Sequence, residues 1–537
     1  MRCRPIPYGT LPHQARLFLD YIEKFPRVAR FYSLAPKLAN MVRAARKVKY
    51  PAERRAAVAA ILREQNDAFG SGELTRKNLE RFEAGAFAVV AGQQVGLFSG
   101  PAYTLYKAVT AAAIAEELSR AGVAAVPVFW LATEDHDLEE VRSTHWFAQG
   151  QLQALGLPGE GNGSRPVGQI ALGTEVEDLV RRAAAMLEGT GAQQIASALE
   201  ASYRPQENFG SALGKLLASL FAPEGVILLD AQDARLHRIA TPVYRQAVQD
   251  SGVVRQRLLA RNAELNRAGY EPQVRVTPRS TLLFSLESGR REVITENGGK
   301  FLAGERAIAR ETLLETAQQA PEKLSANALL RPVVQDFLLP TAAYIGGPAE
   351  IAYFAQVNVV HQHFLGEAAR VLPRADFTLV DAKAQKVLKR YGLEVEEVWT
   401  GKQSLRRRLE AEFVSGALAK EFGRGLKDIE AAFARLRKPI HKLDPTLDAS
   451  LEGARKAAAF HLASLQRKAG HARELRENVL AKKEEYLLGL LYPKKQMQSR
   501  VLCGLPFLAR WGVGLLAELK KYAGFKKLGA HQIALLD

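Results

Sequence analysis

Cysteine is nearly absent from this chain of 537 residues, with Cys3 and Cys503 standing near opposite ends. Two thiols so placed cannot staple a chain of this length, and no CxxC pair offers thiolates to a zinc ion. Apolar runs of about 18 residues or more are also missing, which leaves no candidate transmembrane helix. The opening residues, Met-Arg-Cys-Arg-Pro-Ile-Pro-Tyr, lack the apolar centre of a signal peptide. These absences lead us to expect a cytoplasmic protein in a reducing compartment, with no membrane partner. HExxH, Walker A and EF-hand patterns do not occur, and no Ser, His and acid assemble into a triad from the sequence.

What is present is an ordinary globular composition, 47% hydrophobic and 24% charged. The length exceeds the roughly 250–300 residues at which single cores stop growing, so several domains are expected. Lys and Arg number 74 against 57 Asp and Glu, a net charge of +17. That surplus favours anionic partners, although a solvated basic surface accounts for it equally well. A nucleic-acid partner is judged unlikely, because it leaves the acidic loop described below without a role.

The texture of the chain changes several times. Residues 1–254 read as helices (Leu11 to Phe25, Leu38 to Val48, Ala52 to Phe69) followed by the first part of a parallel-sheet core. Within that part, an apolar strand from Phe87, a helix from Pro101 to Arg120 and a strand from Ala125 to Ala132 spell a βαβ unit. Another buried strand is expected over Gly225 to Asp230, with a helix from Ala234 to Val248. Residues 255–330 read as a small inserted α+β module, with alternating Val274-Arg-Val276 and Thr281 to Ser285. Residues 331–399 return to the core through Leu338 to Gly346 and a last short strand, Phe377 to Asp381.

Over residues 400–485, apolar positions recur at steps of three and four. Leu405, Leu409, Phe413, Leu418, Phe422, Ile429, Phe433 and Leu436 mark one helix; Leu447, Leu451, Leu462, Leu465, Ala472, Leu475 and Val479 are among those marking its partner. With Pro439 and Pro445 breaking the chain between them, this pattern predicts an antiparallel coiled-coil arm. Residues 486–537 read as an apolar helical segment that packs on the core. The fold class is therefore α/β: a Rossmann-like parallel-sheet core, a connecting module and a long helical hairpin.

Two loops carry the chemistry. Ligands of open parallel sheets bind beyond the carboxyl ends of the strands, so both loops should face one crevice. The first holds Gly92, Gln93, Gln94, Gly96, Ser99, Gly100 and Pro101 ahead of a helix bearing Lys107. Glycine lets backbone amides approach an anion, but a purely structural turn fits the spacing as well. The second loop, Glu134-Asp135-His136-Asp137, places three carboxylates around one imidazole, which suits proton transfer near neutral pH. A capping cluster and a single Mg²⁺ site are the alternatives. A third cluster joins Arg331 and Gln335 to Gly346, Gly347 and Glu350 at the opening of another helix. His361 and His363 fall on different helix faces and read as packing or surface residues.

The segments Gly92 to Lys107, Pro127 to Asp137, Arg331 to Gln335 with Gly346 to Glu350, and Leu491-Tyr-Pro with Gln498 and Arg500 resemble the bacillithiol-biosynthesis cysteine-adding enzyme family. The resemblance runs over essentially the whole chain. It implies a ligase that joins the cysteine carboxyl to the amine of glucosaminyl-malate in the last pathway step, and a homodimer formed through the arm. Amide formation from free acid and amine is uphill in water, so ATP or ADP is the expected nucleotide, Mg²⁺ an option, and no zinc site is expected. In this reading Gly96, Ser99 and Gly100 present amides to an anion, while Gln93, Gln94 and Asp135 hold hydroxyls or the amine. His136 takes a proton, Asp137 orients it, Glu134 completes the acidic set, and Arg331 and Lys107 offset substrate charge. Gly92, Pro101, Gln335, Gly346, Gly347, Glu350, Gln498 and Arg500 complete the expected binding set.

Overall fold

Runs rich in Val, Ile, Phe and Trp that are apolar on successive positions, rather than alternating, belong in a sheet covered on both faces. The computed structural model, which describes residues 1–159, 164–411, 416–474 and 479–537, places five such runs in one parallel sheet. They are β1 (Phe87–Gln93), β2 (Ala125–Leu131), β3 (Ile227–Asp230), β4 (Thr341–Gly346) and β5 (Val371–Pro373). Their order across the sheet is β5-β4-β1-β2-β3, with Phe87 opposite Ala125 and Gln93 opposite Leu131 at the centre. Every residue of β2 is buried. The chain moves outward from β1 to β3 and then resumes on the other side of β1. That reversal is where an open sheet parts its connections and leaves a crevice.

Helix α1 (Tyr103–Arg120) links β1 to β2, and α2 (Pro348–Leu365) follows β4. The connecting module is an antiparallel five-stranded sheet containing Ser280–Ser285, Glu292–Asn297 and Lys300–Ala303, with a helix over Arg310–Gln319. Val274 to Val276 is not a strand there. The Val274 N–H donates to Gln356 Oε1 at 3.0 Å and its carbonyl accepts from Gln356 Nε2 at 2.8 Å, so a side chain takes the place of a partner strand. Phe377–Val380 is a strand outside the parallel sheet, whose edge position is filled by β5. The stretch from Ala234 to Val248 is two helices, Ala234–Ile239 and Thr241–Gln249. Arg2–Pro7 is a strand neighbouring Ala530–Leu535, so neither end of the chain is wholly helical.

The chain divides into two compact units, residues 1–378 with 498–534, and residues 379–497 with 535–537. The second contains the long helices Gly416–Leu443 and Asp448–Glu474, joined at Pro445–Leu447. Pro439 does not break the chain; it lies inside the first of these helices. Arg455 and Glu430 form an ion pair between them at 2.5 Å. Phe413 and Leu475 of the expected apolar seam lie outside the described residues. No helix among the described residues is long and apolar enough to cross a membrane.

Candidate functional site

A cavity of about 720 Å³ opens beyond the carboxyl ends of β1, β2, β4 and β5, walled on the far side by the connecting module. Seven cationic side chains and four carboxylates line it, so it carries both signs with a cationic surplus. Of the residues singled out by sequence, Gly92, Gln93, Gln94, Lys107, Glu134, Asp135, Arg331, Gly347, Glu350 and Arg500 stand on its wall.

Beneath the β1 tip lies Lys107, only 3% exposed. Its ammonium donates to the Gly92 carbonyl at 2.7 Å and to Gln93 Oε1 at 2.9 Å, and meets Glu350 Oε2 at 2.5 Å. All three N–H bonds are thereby used on the protein itself, so Lys107 holds the β1 tip to α2. Burial pushes its pKa down, with Glu350 pulling the other way. Burial also works against the Glu350 carboxylate, but Lys107 and the Gly347 N–H outweigh it and hold the carboxyl below its ordinary value. Glu350 closes the first turn of α2 by accepting the Gly347 N–H at 2.7 Å, and the Tyr344 hydroxyl donates to its other oxygen. Next to it, Arg331 donates to Gln335 Oε1 at 3.1 Å and to the Tyr344 hydroxyl at 3.2 Å. Gly92 is fixed as glycine by close packing: a β-carbon there would stand 3.1 Å from Trp130 Cβ and from its carbonyl oxygen.

The acidic loop is divided by role. Asp135 accepts from Gln94 Nε2 at 2.7 Å, from the His136 N–H at 2.7 Å and from Arg291 at 3.2 Å. Arg291 also donates to His136 Nδ1 at 3.2 Å. Nδ1 also stands 3.4 Å from Asp135 Oδ1, so the ring, the guanidinium and the carboxylate meet at one point. Asp137 does not orient this imidazole. It is exposed and caps the short helix Leu138–Val141, accepting the Glu140 N–H at 3.1 Å. Glu134 turns under the loop, with Oε1 3.2 Å from Nε2 of the buried His237. Both nitrogens of His237 face oxygens, Nδ1 the Pro321 carbonyl at 3.2 Å and Nε2 the Ala231 carbonyl at 3.1 Å as well. Burial pushes the His237 pKa down, but Glu134 outweighs it and the net direction is upward.

The glycine loop is likewise split. Phe98, Ser99 and Gly100 all adopt positive φ, and the buried Phe98 ring packs against Trp146 and Tyr203. Ser99 lies 3.8 Å from the Cys503 thiol, which donates to the Phe98 carbonyl at 3.1 Å, while Pro101 bridges to Cys503. Gly96, Ser99, Gly100 and Pro101 are therefore a packed turn and do not line the cavity. Gln335 and Gln498 are buried off the wall, Gly346 ends β4 and is not on the wall either, and His136 stands beside the cavity over Phe284. His361 is buried and paired with Asp336 at 2.8 Å, and His363 with Asp250 at 2.8 Å.

Sequence reasoning missed Tyr103, Glu140, Arg255, Arg275, Arg291, Tyr353 and Arg374 as wall residues. Arg374 follows the three-residue strand β5, too short to stand out as a run. Arg291 sits in a charged turn of the connecting module, and nothing local reports that it reaches Asp135. Burial and neighbouring carboxylates raise the Glu140 pKa above the ordinary carboxyl value. Among the described residues no group of three or more His, Cys, Asp or Glu is placed to hold a metal ion.

Comparison with known proteins adds a family. A model described as the N-terminal Rossmann-like domain of bacillithiol biosynthesis BshC matches residues 1–375, and one for its C-terminal coiled-coil domain matches residues 377–535. Relatives called "putative cysteine ligase BshC" include that of Koribacter versatilis, 37% identical with 97% of each chain covered. That of Solibacter usitatus is 36% identical, again with 97% of each covered. The Salinibacter ruber protein is 32% identical over 99% of this chain and 98% of its own.

Proposed function

The chain belongs to the bacillithiol-biosynthesis BshC family, and we propose that it is a cytoplasmic ligase joining the carboxyl of cysteine to the amine of glucosaminyl-malate. The observation that carries this reading is one cavity that offers both signs, with Glu134, Asp135 and Glu140 at and after the β2 tip and Arg331 and Arg374 beside β4 and β5. An amino sugar bearing carboxylates is cationic at one point and anionic at another. Its ammonium sits between Asp135 and Glu140, and Gln93 and Gln94 hydrogen-bond neighbouring hydroxyls. To free its lone pair for attack, the ammonium first gives a proton to a carboxylate of this set, to which Glu140 is suited by its raised pKa. His136, held by Arg291 at 3.2 Å, stands beside this set.

A free cysteine carboxylate does not acylate an amine in water, and ATP supplies the activation when bound. Arg275, on the connecting-module side, would hold its phosphates, having no carboxylate partner among the described residues; Arg255 lines the same side but is already paired with Glu296 at 2.7 Å. The Gly96–Pro101 turn, packed on Cys503, is not offered to the nucleotide. The family's dimer is proposed to form through the arm, where Leu426, Leu436, Leu443, Phe460 and Leu465 are exposed.

The test is a purified-protein assay with cysteine, glucosaminyl-malate and ATP, read by mass spectrometry for the condensed thiol. Product that depends on ATP and falls at least about tenfold in Asp135→Asn is expected. No product from the wild-type protein, or undiminished turnover in Asp135→Asn, would overturn the proposal.

A further inference from the structure

Arg374 is one of the cavity residues that no sequence motif announced, and its side chain is held from two directions. The side chain is 4% exposed. Its NH1 donates to Asp376 Oδ1 at 2.5 Å and to the Ala375 carbonyl at 3.2 Å. Asp376 is held in turn by His531, whose Nδ1 lies 3.2 Å from Oδ2 and whose Nε2 meets the Thr378 hydroxyl at 2.8 Å. One edge of the guanidinium is thus tied to the protein, and the other faces the cavity. That free edge lies over Gly347, with Nε 3.6 Å from the place a β-carbon would take. The Tyr103 ring flanks the guanidinium at 5.5 Å, and the Tyr103 hydroxyl accepts from Gln93 at 3.3 Å, which leaves its own proton to donate. Arg500 completes the wall and has no carboxylate partner among the described residues.

A guanidinium whose second edge opens to the cavity with no partner among the described residues, at the N-terminal end of an 18-residue helix, is an arrangement that a carboxylate would satisfy. The helix end alone would not call for a ligand; the unfilled edge of Arg374 does. The neighbouring cations are already committed, Lys107 to Glu350 and Arg331 to Gln335 and Tyr344. We propose that Arg374, Tyr103 and Arg500 form the carboxylate subsite of the cavity, taking the dicarboxylate end of the substrate while its amine rests at the β2 tip. The tips of β5 and β2 are three strand spacings apart, about 14 Å, and side chains reach inward from both. Asp376 and His531 are positioning residues for this subsite.

This proposal rests on the ligase reading for the identity of the dicarboxylate, so binding is measured without turnover. Titration calorimetry on the full chain uses L-malate, glucosaminyl-malate, glucosamine and inorganic phosphate. Glucosaminyl-malate and malate should each bind about tenfold more weakly to Arg500→Gln and Arg374→Lys, with glucosamine unchanged. Arg500 is exposed and makes no ion pair among the described residues, so its variant keeps the test valid should Arg374 substitutions fail to fold. Equal malate affinity in wild type and Arg500→Gln, or phosphate preferred over malate, would overturn the subsite. Arginine-dependent malate binding without any condensed product would leave the subsite standing and remove the ligase reading. Condensed product with arginine-independent malate binding would do the reverse.

Discussion

Replacing Lys107 by methionine probes the join between the β1 tip and α2. The substitution keeps the length of an unbranched side chain but removes the ammonium that bonds Gly92, Gln93 and Glu350. Glu350 is then left with the Gly347 N–H and the Tyr344 hydroxyl, and no cation in contact. Stranding one member of a buried pair costs about 3–5 kcal/mol. Unfolding entropy of about 2 cal/mol/K per residue makes each kcal/mol worth about 1 °C in a unit of several hundred residues, so the midpoint should fall by about 3–5 °C.

The pH dependence separates a stranded charge from simple loss of packing. In the wild type the Glu350 pKa is depressed. Its contribution is present above the unfolded value of about 4.3 and fades as pH drops through the folded value. In Lys107→Met, burial acts on Glu350 with only the Gly347 N–H and the Tyr344 hydroxyl against it, its pKa rises, and protonation relieves the penalty. The gap between the two proteins should be widest near pH 7.5 and narrow toward about pH 5. Differential scanning calorimetry across that range is the assay, with Lys107→Met/Glu350→Gln as the companion. The double variant should recover about 1–3 kcal/mol relative to the sum of the singles. A gap that is flat with pH, or strict additivity, would refute the pairing.

His237→Gln should destabilise the protein by about 3 kcal/mol near pH 6, because Glu134 loses its buried cation. The His237 pKa is raised, so this contribution is full below its unfolded value of about 6.5 and lost as pH rises through the folded one. Thermal midpoints of the two proteins should therefore converge on the alkaline side, and divergence there would contradict the ion pair. Asp137→Ala should cost about 1 kcal/mol through its lost cap while leaving kcat/KM within about twofold, in contrast to Asp135→Asn. Equal losses of activity in the two variants of the acidic loop would return Asp137 to the chemistry.

How much was legible follows from the range of the interactions involved. The strands Phe87–Gln93 and Ala125–Leu131 are buried on both faces, so unbroken apolar runs announce them. Strand β5 has three residues and no such signature, and Arg374 was missed with it. In the loop after β1 the glycine spacing leaves ligand contact and structural turn undecided. Positive φ at Phe98, Ser99 and Gly100 and the seat against Cys503 settle that half as a turn. Cys503 stands about 400 residues further along, and no local pattern could have paired the two.

The same distance explains the acidic loop. Read alone, Glu134-Asp135-His136-Asp137 is one cluster in which the imidazole is flanked by acids. Three remote or adjacent partners take it apart: His237 draws Glu134 inward, Arg291 bridges Asp135 and His136, and the Glu140 amide claims Asp137. Each removes one charge from mutual repulsion, which is how consecutive acidic residues can be carried at a strand tip without collapse of the fold. What remains facing the cavity is an acidic end stiffened by the connecting module. Loosening that module should therefore disturb the chemistry before it disturbs the sheet. Arg291→Met tests this directly: kcat/KM should fall by at least about tenfold while the midpoint moves by no more than about 3 °C. A large loss of stability with kcat/KM intact would place Arg291 among the purely structural contacts.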